Sequence, residues 1–555
     1  MSTIEAIRTT PNTGTLLQEP SAAANSKQQK ENLAAWKPFQ RFLFRIAFIF
    51  FILLSIPNSW GWYKLVAHID WTSLHYRDLY DIARFNSGIT WFGNKIFGSS
   101  LLGYAVWINT LLFSIAGALV WTFSAKALKK ERQEYNTAYY WLRAIVRYRA
   151  AIGIIGFGFT KLFPVQMPYP SLGVLNTNFG DLTSQKIYWL SIGIVPWYQV
   201  FAGVIELTAG TLLFFRRTTT LGAILLFGAL GDIVYVNFAY DGGVHGYSSY
   251  FVLLSGFLLI SDLPKIYRLF IQERFTVPVN FYPVLPKWLS ITRISLKSAT
   301  IFIFLVVLFY LQFINWRYDP YKQPSVAGVK TLRGNYTVTE FKINNKVIPY
   351  SPTDTTRWNE ATFENWTTLT FRVNKPNPLD LSNGGGSPQR DLHRTFELTG
   401  VGGGQRVFHY YADEVNKTLY LQDKYKARRG GGEDDYTGDP DPLVNNERTE
   451  KGKGRLNKNK AREEDNWIPK EALANIGDEI YKIDKNAVTT RRKRELKNVR
   501  NNENRNRMVL KYDTQDGSRI FLSGINENKD SIYIVLDRIN RNYVLTESSL
   551  QAGKY

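Results

Sequence analysis

Three apolar stretches that each contain ionisable residues decide how this chain folds: RAIVRYRAAIGIIGFGFTKLF (Arg143–Phe163), FAGVIELTAGTLLFF (Phe201–Phe215) and LGAILLFGALGDIVY (Leu221–Tyr235). Each reads as part of a membrane-spanning helix, where a charge is costly unless it is paired or lines a polar pathway. Arg149, Glu206 and Asp232 share helical faces with glycine and alanine, which favour close helix contact. The pattern therefore predicts that these three charges face one another inside a bundle.

Long apolar runs are confined to the first three fifths of the 555 residues. This distribution predicts an α-helical polytopic membrane protein with about seven spans, followed by a water-soluble domain. The connection Trp60–Ser100 is aromatic and polar, as is typical of an interfacial segment. Proline and glycine interrupt Phe163–Leu190, which predicts an outer loop. The predicted spans are Phe42–Pro57, Leu101–Phe123, Leu142–Phe163, Trp197–Phe215, Thr220–Tyr240, Tyr247–Asp262 and Ser298–Asn315.

The positive-inside rule orients the predicted spans. Lysine and arginine are concentrated in the loops Lys126–Arg132 and Lys265–Lys297 and at Arg216 and Arg217, which all lie on the side of the N-terminus. The N-terminus is therefore predicted in the cytoplasm. Seven spans then place everything after Trp316 outside it, which predicts a multi-pass protein of the bacterial cytoplasmic (inner) membrane with a periplasmic or otherwise exoplasmic C-terminal domain.

Short alternating strands separated by turn residues follow the last span and predict a mostly antiparallel β-barrel or sandwich. Between about Lys424 and Asn506 the alternation is lost, and a basic insertion with RRKRELKNVR at Arg491–Arg500 is predicted as a flexible, solvated loop with a short exposed helix. A site for an anionic partner is the alternative. The predicted strands are Gly334–Tyr350 with a turn at Asn344–Lys346, Thr367–Val373, Arg394–Thr399, Arg406–Tyr411, Thr418–Gln422, Met508–Tyr512, Arg519–Ser523, Ser531–Leu536 and Tyr543–Thr546.

The predicted domain organisation has five parts. Residues 1–36 are polar and predict a disordered tail. Residues 37–140 hold two spans with an exoplasmic loop, and residues 141–270 hold the charged bundle. Residues 271–325 are predicted as a cytoplasmic loop and the last span, and residues 326–555 as the exoplasmic β domain with its insertion at about 424–506.

Charge and cysteine content narrow the function classes. The formal net charge of +21 favours anionic partners, and in a membrane protein this indicates anionic lipid and topology signalling rather than nucleic acid. The chain has no cysteine, which excludes disulfides, thiolate ligands and iron–sulfur clusters held by this chain. The lipid bilayer is the first predicted partner, and a membrane or envelope protein is the second.

The residues of the bundle resemble a known family. Arg149 precedes GIIGFGFTKLFP, and FAGVIELTAGTLLFFRRTTTLGA carries Glu206, the paired Arg216 and Arg217, and a TLGA sequence. These motifs, over about residues 141–270, resemble the DoxX-like family of bacterial membrane proteins. The resemblance implies a four-helix membrane bundle, and the namesake is a subunit of a quinol oxidase or thiosulfate:quinone oxidoreductase. The extra spans and the lipocalin-like start at Gly334 are similar to larger members from the Bacteroidetes.

One segment departs from the family pattern. Larger members tend to read YDVPVK where this chain has Tyr240 to His245, YDGGVH, so no lysine stands there. Asp241 and His245 would lie at the outer mouth of the bundle. Together with Asp232 they form too sparse a set to predict a metal site, and the spans lack the paired ligands that haem requires.

The polar residues of the bundle allow two interpretations. Counting about 1.5 Å per residue from the cytoplasmic ends places Arg149 about 10 Å deep and Glu206 about 14 Å deep, so the arginine is predicted to reach Glu206. With Asp232, Tyr235 and Lys161 they form a candidate site for a quinone head group, whose reduction needs donors and proton relays. The alternative is a purely structural ion pair that fixes how the helices dock.

Two functions follow from these interpretations. The first is an integral membrane subunit of a quinone-linked redox system, acting with a separate electron-carrying partner because the chain has no evident redox group and no covalently bound cofactor. Such a subunit would be accessory rather than itself catalytic. The second is a non-enzymatic membrane anchor or assembly module of an envelope complex, whose β domain binds a partner or ligand.

Overall fold

A computed structural model describes residues 36–276, 281–382, 384, 390–425, 467–476, 479–497 and 505–547. Over these residues the chain is helical up to Tyr318 and mostly β-stranded from Gly334 onward. The prediction of a helical membrane region followed by an antiparallel β domain is confirmed. The predicted tail at 1–36 lies outside the described residues apart from Trp36.

The helical region contains short connecting helices as well as long ones. Proline at the first or second position starts several of them, where the missing N–H is not needed. The helices are α1 (Pro38–Ser55), α2 (Trp60–Ala67), α3 (Tyr76–Ala83), α4 (Ala105–Ala127), α5 (Asn136–Leu162), α6 (Leu172–Leu175), α7 (Ser184–Gly193), α8 (Pro196–Leu213), α9 (Thr219–Ala239), α10 (His245–Leu259), α11 (Leu263–Phe270) and α12 (Lys287–Tyr318).

All seven predicted spans are helical. Four segments are long and apolar enough to cross a membrane, namely α1, α4, Arg216–Ala239 and α12, and the bent pairs α7–α8 and α10–α11 raise the number to six. The remaining predicted span, α5, has 27 residues but carries Arg143, Arg147, Arg149 and Lys161, and length and composition alone do not identify it as a span.

Helix α5 nevertheless lies at the centre of the helical core. It packs against α8 and α10, while α9 packs against both of these helices, so the four form a closed bundle. Helices α1 and α4 pack on one another, and α1 also contacts α5. Leu142, Val146, Ala150 and Ile154 of α5 are fully buried in this core, which explains how a helix rich in cations is held among apolar ones.

The connection between the first two predicted spans contains a buried helix, in addition to the interfacial segment that the sequence predicts. Its helix α3 is almost wholly buried and contacts α2, α5 and α12. His75 caps it by accepting from the Arg77 backbone N–H, and Asp78 accepts from the His75 backbone N–H in return. The segment is therefore an integral part of the polar interior.

The β domain is a closed barrel. Strand β1 pairs with both β3 and β9, so the sheet order β2-β1-β3-β4-β5-β6-β7-β8-β9 closes on itself, with β2 only extending the β1 hairpin. All pairings are antiparallel and eight strands form the ring. The strands are β1 (Gly334–Ile343), β2 (Lys346–Val347), β3 (Glu360–Phe363), β4 (Thr368–Arg372), β5 (Gln405–Asp413), β6 (Thr418–Asp423), β7 (Arg507–Asp513), β8 (Arg519–Ile525) and β9 (Ser531–Ile539).

Side chains fill the inside of the barrel. Trp358 stacks on Phe371 with ring centroids 3.6 Å apart, and Phe371 stacks in turn on Phe408. Tyr336 and Tyr410 are also fully buried there. A barrel of eight strands is just wide enough for its side chains to meet at the centre, and this one is packed in that way.

Two predicted strands are wrong, and one strand was not predicted. Arg394–Thr399 forms turns, because Arg394 and Glu397 are held by buried polar partners rather than by a ladder. The predicted strand at Tyr543–Thr546 contains a short helix that begins at Val544. Strand β3 lacks the alternating pattern because three of its four residues, Ala361, Thr362 and Phe363, are buried.

The insertion between β6 and β7 contains short helices. Its described residues form α13 (Lys470–Ile476), α14 (Glu479–Lys482) and α15 (Thr490–Lys497), while 426–466 and 498–504 lie outside the described residues. The prediction that α15 is a short exposed helix is wrong. Arg491, Arg492, Glu495 and Leu496 are buried, because α15 docks on the membrane helices.

Candidate functional site

Helices α5 and α8 approach closely through glycine. A Cβ placed on Gly203 would lie 2.5 Å from the backbone nitrogen of Leu162, and one on Gly158 would lie 2.7 Å from the Leu207 side chain. Real side chains do not fit at such distances, so glycine is needed at both positions. The close approach brings Lys161 and Glu206 side by side.

Lys161 and Glu206 form a buried ion pair inside the bundle. The Lys161 Nζ atom lies 2.6 Å from Glu206 Oε1, and both side chains are buried. The second oxygen, Oε2, accepts no hydrogen bond from the described residues. Lys161 thus compensates the charge of Glu206, while Glu206 Oε2 remains without a hydrogen bond from the described residues.

Arg149 does not pair with Glu206, so that prediction is wrong. Its guanidinium donates to the Ala83 carbonyl oxygen at 2.7 Å and lies 4.2 Å from the centroid of the Phe85 ring. The centroid of the Tyr250 ring lies 5.1 Å from the guanidinium. Counting depth along the helices predicts a similar level for Arg149 and Glu206, but it leaves out α3 and the residue pair after it, which supply Ala83 and Phe85.

Arg84 repeats this arrangement next to Arg149. It donates to the Tyr80 hydroxyl at 3.1 Å and lies 5.2 Å from the Tyr247 ring centroid. Aromatic faces attract cations and do so more strongly where water is excluded. The two arginines are thus held mainly by rings, and the sequence offered no spacing that would have located Arg84 in the site.

Asp232 and Tyr235 do not face the bundle interior. Helix α9 buries Gly222, Ala223, Leu226 and Leu230, and the opposite face, with Asp232 and Tyr235, is exposed. No hydrogen bond or ion pair from the described part of the chain reaches the Asp232 carboxylate. The prediction that the three charges face one another is therefore wrong for this residue, because the small residues beside it line an uncovered helix face.

Asp241 and His245 do not form a common site with each other or with Asp232. Asp241 is exposed, with φ near +52° in the turn after α9. His245 stacks on Phe238 and makes a 2.7 Å contact through Nε2 with the Leu102 carbonyl oxygen, so it fixes the start of α4. Among the described residues, no group of three His, Asp or Glu side chains is placed to hold a metal ion.

The candidate quinone residues thus do not form one pocket. Arg149 faces the aromatic rings, Glu206 faces Lys161, and Asp232 faces outward. A quinone head group needs donors that converge on its carbonyl oxygens from one cavity. This set does not fit that requirement.

A second cluster of buried charges joins the barrel to the membrane helices, and we call it the docking cluster. Arg491 of α15 lies 3.0 Å from Asp78 and 2.7 Å from Asp81, both on α3. The docking cluster consists of these three residues together with Asp319, Arg394 and Arg492. Every one of these side chains is buried or nearly so.

Asp319 is the centre of the docking cluster. It follows α12 directly and lies 2.6 Å from Arg394 through one oxygen and 2.8 Å from Arg492 through the other. Burial alone would raise the pKa of its carboxyl, but Arg394 and Arg492 outweigh burial and hold that pKa below its ordinary value. Separations of up to several hundred residues in the chain explain why sequence reasoning missed these pairs.

Glu364 forms another contact between barrel and bundle. It is buried and accepts from the backbone N–H groups of Leu172 at 3.0 Å and Gly173 at 2.7 Å, in the loop that holds α6. Burial, and then the nearby Glu397, raises the pKa of Glu364 to about 7, although the two N–H groups favour its charged form. The carboxyl therefore titrates near neutral pH while it bridges two parts of the molecule.

Two cavities lie along the same contact. One of about 10 Å³ is lined by residues that include His68, Asp78 and Arg491, and one of about 30 Å³ by residues that include Asn176, Thr362 and Gln405. A cavity needs about 10 to 15 Å³ to hold one water. These two spaces accommodate water molecules, not a ligand of quinone size.

A comparison with known proteins finds a relative in Bacillus subtilis. No family profile and no solved structure matches the chain. It is 33% identical over 104 residues to the uncharacterized protein YwoB of Bacillus subtilis (strain 168), an alignment that covers 17% of this chain and 68% of YwoB. The chain belongs to the same family as YwoB. The resemblance to DoxX-like proteins remains a prediction, because this relative carries no stated function.

Proposed function

We propose that this chain is a non-enzymatic membrane module that holds a barrel rigidly against the membrane and assembles with other membrane or envelope proteins. The docking cluster is the observation that carries the proposal. A barrel on a flexible tether would need no buried ion pairs, whereas here Arg491 and Arg492 reach α3 and the end of α12 from an insertion between barrel strands. Such a joint fixes the orientation of the barrel surface.

The packing of the barrel supports the same proposal. Because aromatic side chains such as Trp358, Phe371 and Phe408 fill the interior, the barrel would act through its outer surface. Partner proteins suit such a surface better than an enclosed small molecule. The proposed orientation puts the N-terminus in the cytoplasm and the barrel outside, and it is supported by the distribution of lysine and arginine among the loops.

A purification from native membranes tests the proposed function. A tagged full-length chain in mild detergent is expected to elute with one or more membrane or envelope proteins in fixed ratio, while extraction with organic solvent yields no quinone in proportion to the protein. A chain that elutes alone, with quinone in a fixed ratio, would contradict the proposal. Protease added to the outside of intact spheroplasts is expected to cleave the barrel segment and spare the N-terminus.

A quinone-linked role is the second candidate, and buried hydroxyl groups favour it. The Tyr76 and Tyr247 hydroxyls accept or donate no hydrogen bond among the described residues; Tyr247 lies against Arg84, and Tyr76 packs against His75 and Tyr321. Phenol hydroxyls are suitable donors to a carbonyl oxygen. Fixed-ratio quinone in the purified sample that is lost on replacing both tyrosines with phenylalanine is the result expected from this role.

A further inference from the structure

The exposed carboxylate of Asp232 lies inside a segment that is long and apolar enough to cross a membrane. Helix α9 ends at Ala239, seven positions after Asp232, which at about 1.5 Å per residue places the acid about 10 Å from that end. The Asp232 side chain is too short to reach far along the helix, unlike lysine or arginine. Its carboxylate therefore stays at the depth of its backbone.

The helix surface around Asp232 is open and flat. No atom lies within 4 Å of a Cβ placed on Gly228 or Gly231, so nothing in the described chain covers these positions. Leu221, Ile224 and Tyr235 are exposed on the same side of α9. We call Leu221, Ile224, Gly228, Gly231, Asp232 and Tyr235 the Asp232 face. Glycines on such a face allow the backbone of another helix to come close.

The other ionisable side chains of the bundle show what the Asp232 face lacks. Glu206 has Lys161 at 2.6 Å, and Arg149 has the Ala83 carbonyl oxygen and two rings. Intramembrane acids almost always face a bundle interior or pair with a donor. The Tyr188 side chain is near enough to interact electrostatically with Asp232, but no hydrogen bond or ion pair from the described residues reaches the carboxylate. The donor that satisfies it therefore comes from outside this part of the chain.

We propose that the Asp232 face binds a transmembrane helix of a different protein that carries a lysine or arginine at the depth of Asp232. Charge complementarity decides the kind of partner, because a cation both neutralises the acid and donates to it. A second copy of this chain, docked symmetrically on the same face, would bring two carboxylates together. The inference rests on the proposed function and identifies the partner chemistry at one surface.

Photo-cross-linking from native membranes tests the proposal. The chain has no cysteine, so Gly231→Cys introduces a unique thiol in open space, to which a benzophenone maleimide is attached. One adduct with a membrane protein is expected, and mass spectrometry is expected to place it in a span that contains lysine or arginine. Val120→Cys, on the exposed side of α4, is the matched control and is expected to give no such adduct.

The charge of Asp232 provides the second measurement. Combining Gly231→Cys with Asp232→Lys is expected to lower the adduct yield at least about tenfold, because two cations would then meet. Asp232→Asn keeps a polar group of the same size and is expected to lower the yield less. Thermal unfolding in detergent, unchanged by either substitution, shows that the fold is intact.

Four kinds of adduct would overturn the proposal. They are adducts with lipid only, with a second copy of this chain, with its own residues 426–466, or with a span that has no basic side chain. An adduct yield unaffected by Asp232→Lys would also overturn it. If the tagged Asp232→Lys protein still elutes with the same partners in full ratio, the inference about the Asp232 face is wrong while the proposed function stands. If the wild-type chain elutes without any partner, the proposed function itself is wrong.

Discussion

The bundle and the docking cluster both bury charges, but they compensate them differently. In the bundle, Lys161 faces Glu206, and Arg84 and Arg149 lie against aromatic rings. In the docking cluster, Asp319 accepts from two arginines and Arg491 reaches two aspartates. A buried charge is destabilising when it loses its partner, so the number of charges left behind determines the cost. The two regions should therefore respond very differently to single substitutions.

The largest effect is expected at the centre of the docking cluster. Asp319→Ala leaves Arg394 and Arg492 close together without their shared carboxylate, which is expected to destabilise the joint by about 3 to 5 kcal/mol. Unfolding temperature and release of the barrel by limited proteolysis measure this loss. Asp513→Ala removes the acid of an exposed pair with Lys417 and is the control, with no measurable shift expected. Equal effects of the two substitutions would contradict the assignment of Asp319.

A smaller effect is expected for the ion pair of the bundle. Lys161→Met leaves Glu206 buried without its cation, at an expected cost of about 3 kcal/mol, because the acid also has the option of taking up a proton. The double variant Lys161→Met with Glu206→Leu is expected to be more stable than Lys161→Met alone. Thermal unfolding of all four proteins in a double-mutant cycle gives the coupling. Simple additivity would show that the two side chains do not interact.

The sequence was sufficient for the architecture because architecture depends on local patterns. All seven apolar runs predicted as spans are helical, and alternation with turn residues predicted most of the barrel strands. These signals come from residues within one element, such as the turn at Asn344 that separates β1 from β2. Strand β3 was missed because its buried residues are nearly consecutive and do not alternate.

The site was predicted less well because it depends on contacts between distant segments. Lys161 and Glu206 were both named as candidates, but Glu206 was assigned to Arg149. Depth along a helix was known, whereas the direction in which Asp232 points depends on which face α8 and α10 cover. Arg491 lies more than 400 residues from Asp78, and no property of RRKREL by itself shows that it inserts beside α3.

The stability of the contact that Glu364 makes between the barrel and the helical region is expected to depend on pH. Glu364 has a pKa of about 7 in the folded protein, above its ordinary value of 4.5. The stability that its protonated form contributes is fully present below about pH 4.5 and is lost as pH rises through about 7. From pH 5 to pH 7 the expected loss is about 2 kcal/mol.

Thermal unfolding at several pH values measures the Glu364 contribution. Glu364→Gln mimics the protonated carboxyl and is expected to abolish that part of the pH slope. Glu340→Gln, in an exposed pair with Lys342, is the control and is expected to leave the slope unchanged. A slope of opposite sign, with stability rising from pH 5 to pH 7 and the rise abolished by Glu364→Gln, would show that the two backbone N–H groups outweigh burial.

The smallest loss of stability is expected for substitution of Arg149. It tests whether a cation held by aromatic rings contributes less than a cation in an ion pair. Arg149→Met removes the cation and leaves behind only the Ala83 carbonyl oxygen and two aromatic rings, none of which is charged. The expected loss is about 1 to 2 kcal/mol, less than for Lys161→Met. Arg149→Lys keeps the charge but not the planar group that lies over Phe85, so it is expected to recover only part of the loss.

Unfolding temperatures of these variants, each with and without Glu206→Leu, provide the measurement. Because Arg149 and Glu206 do not meet, Glu206→Leu is expected to leave the cost of Arg149→Met unchanged; if it removes that cost, the ion pair of the bundle is between Arg149 and Glu206 after all.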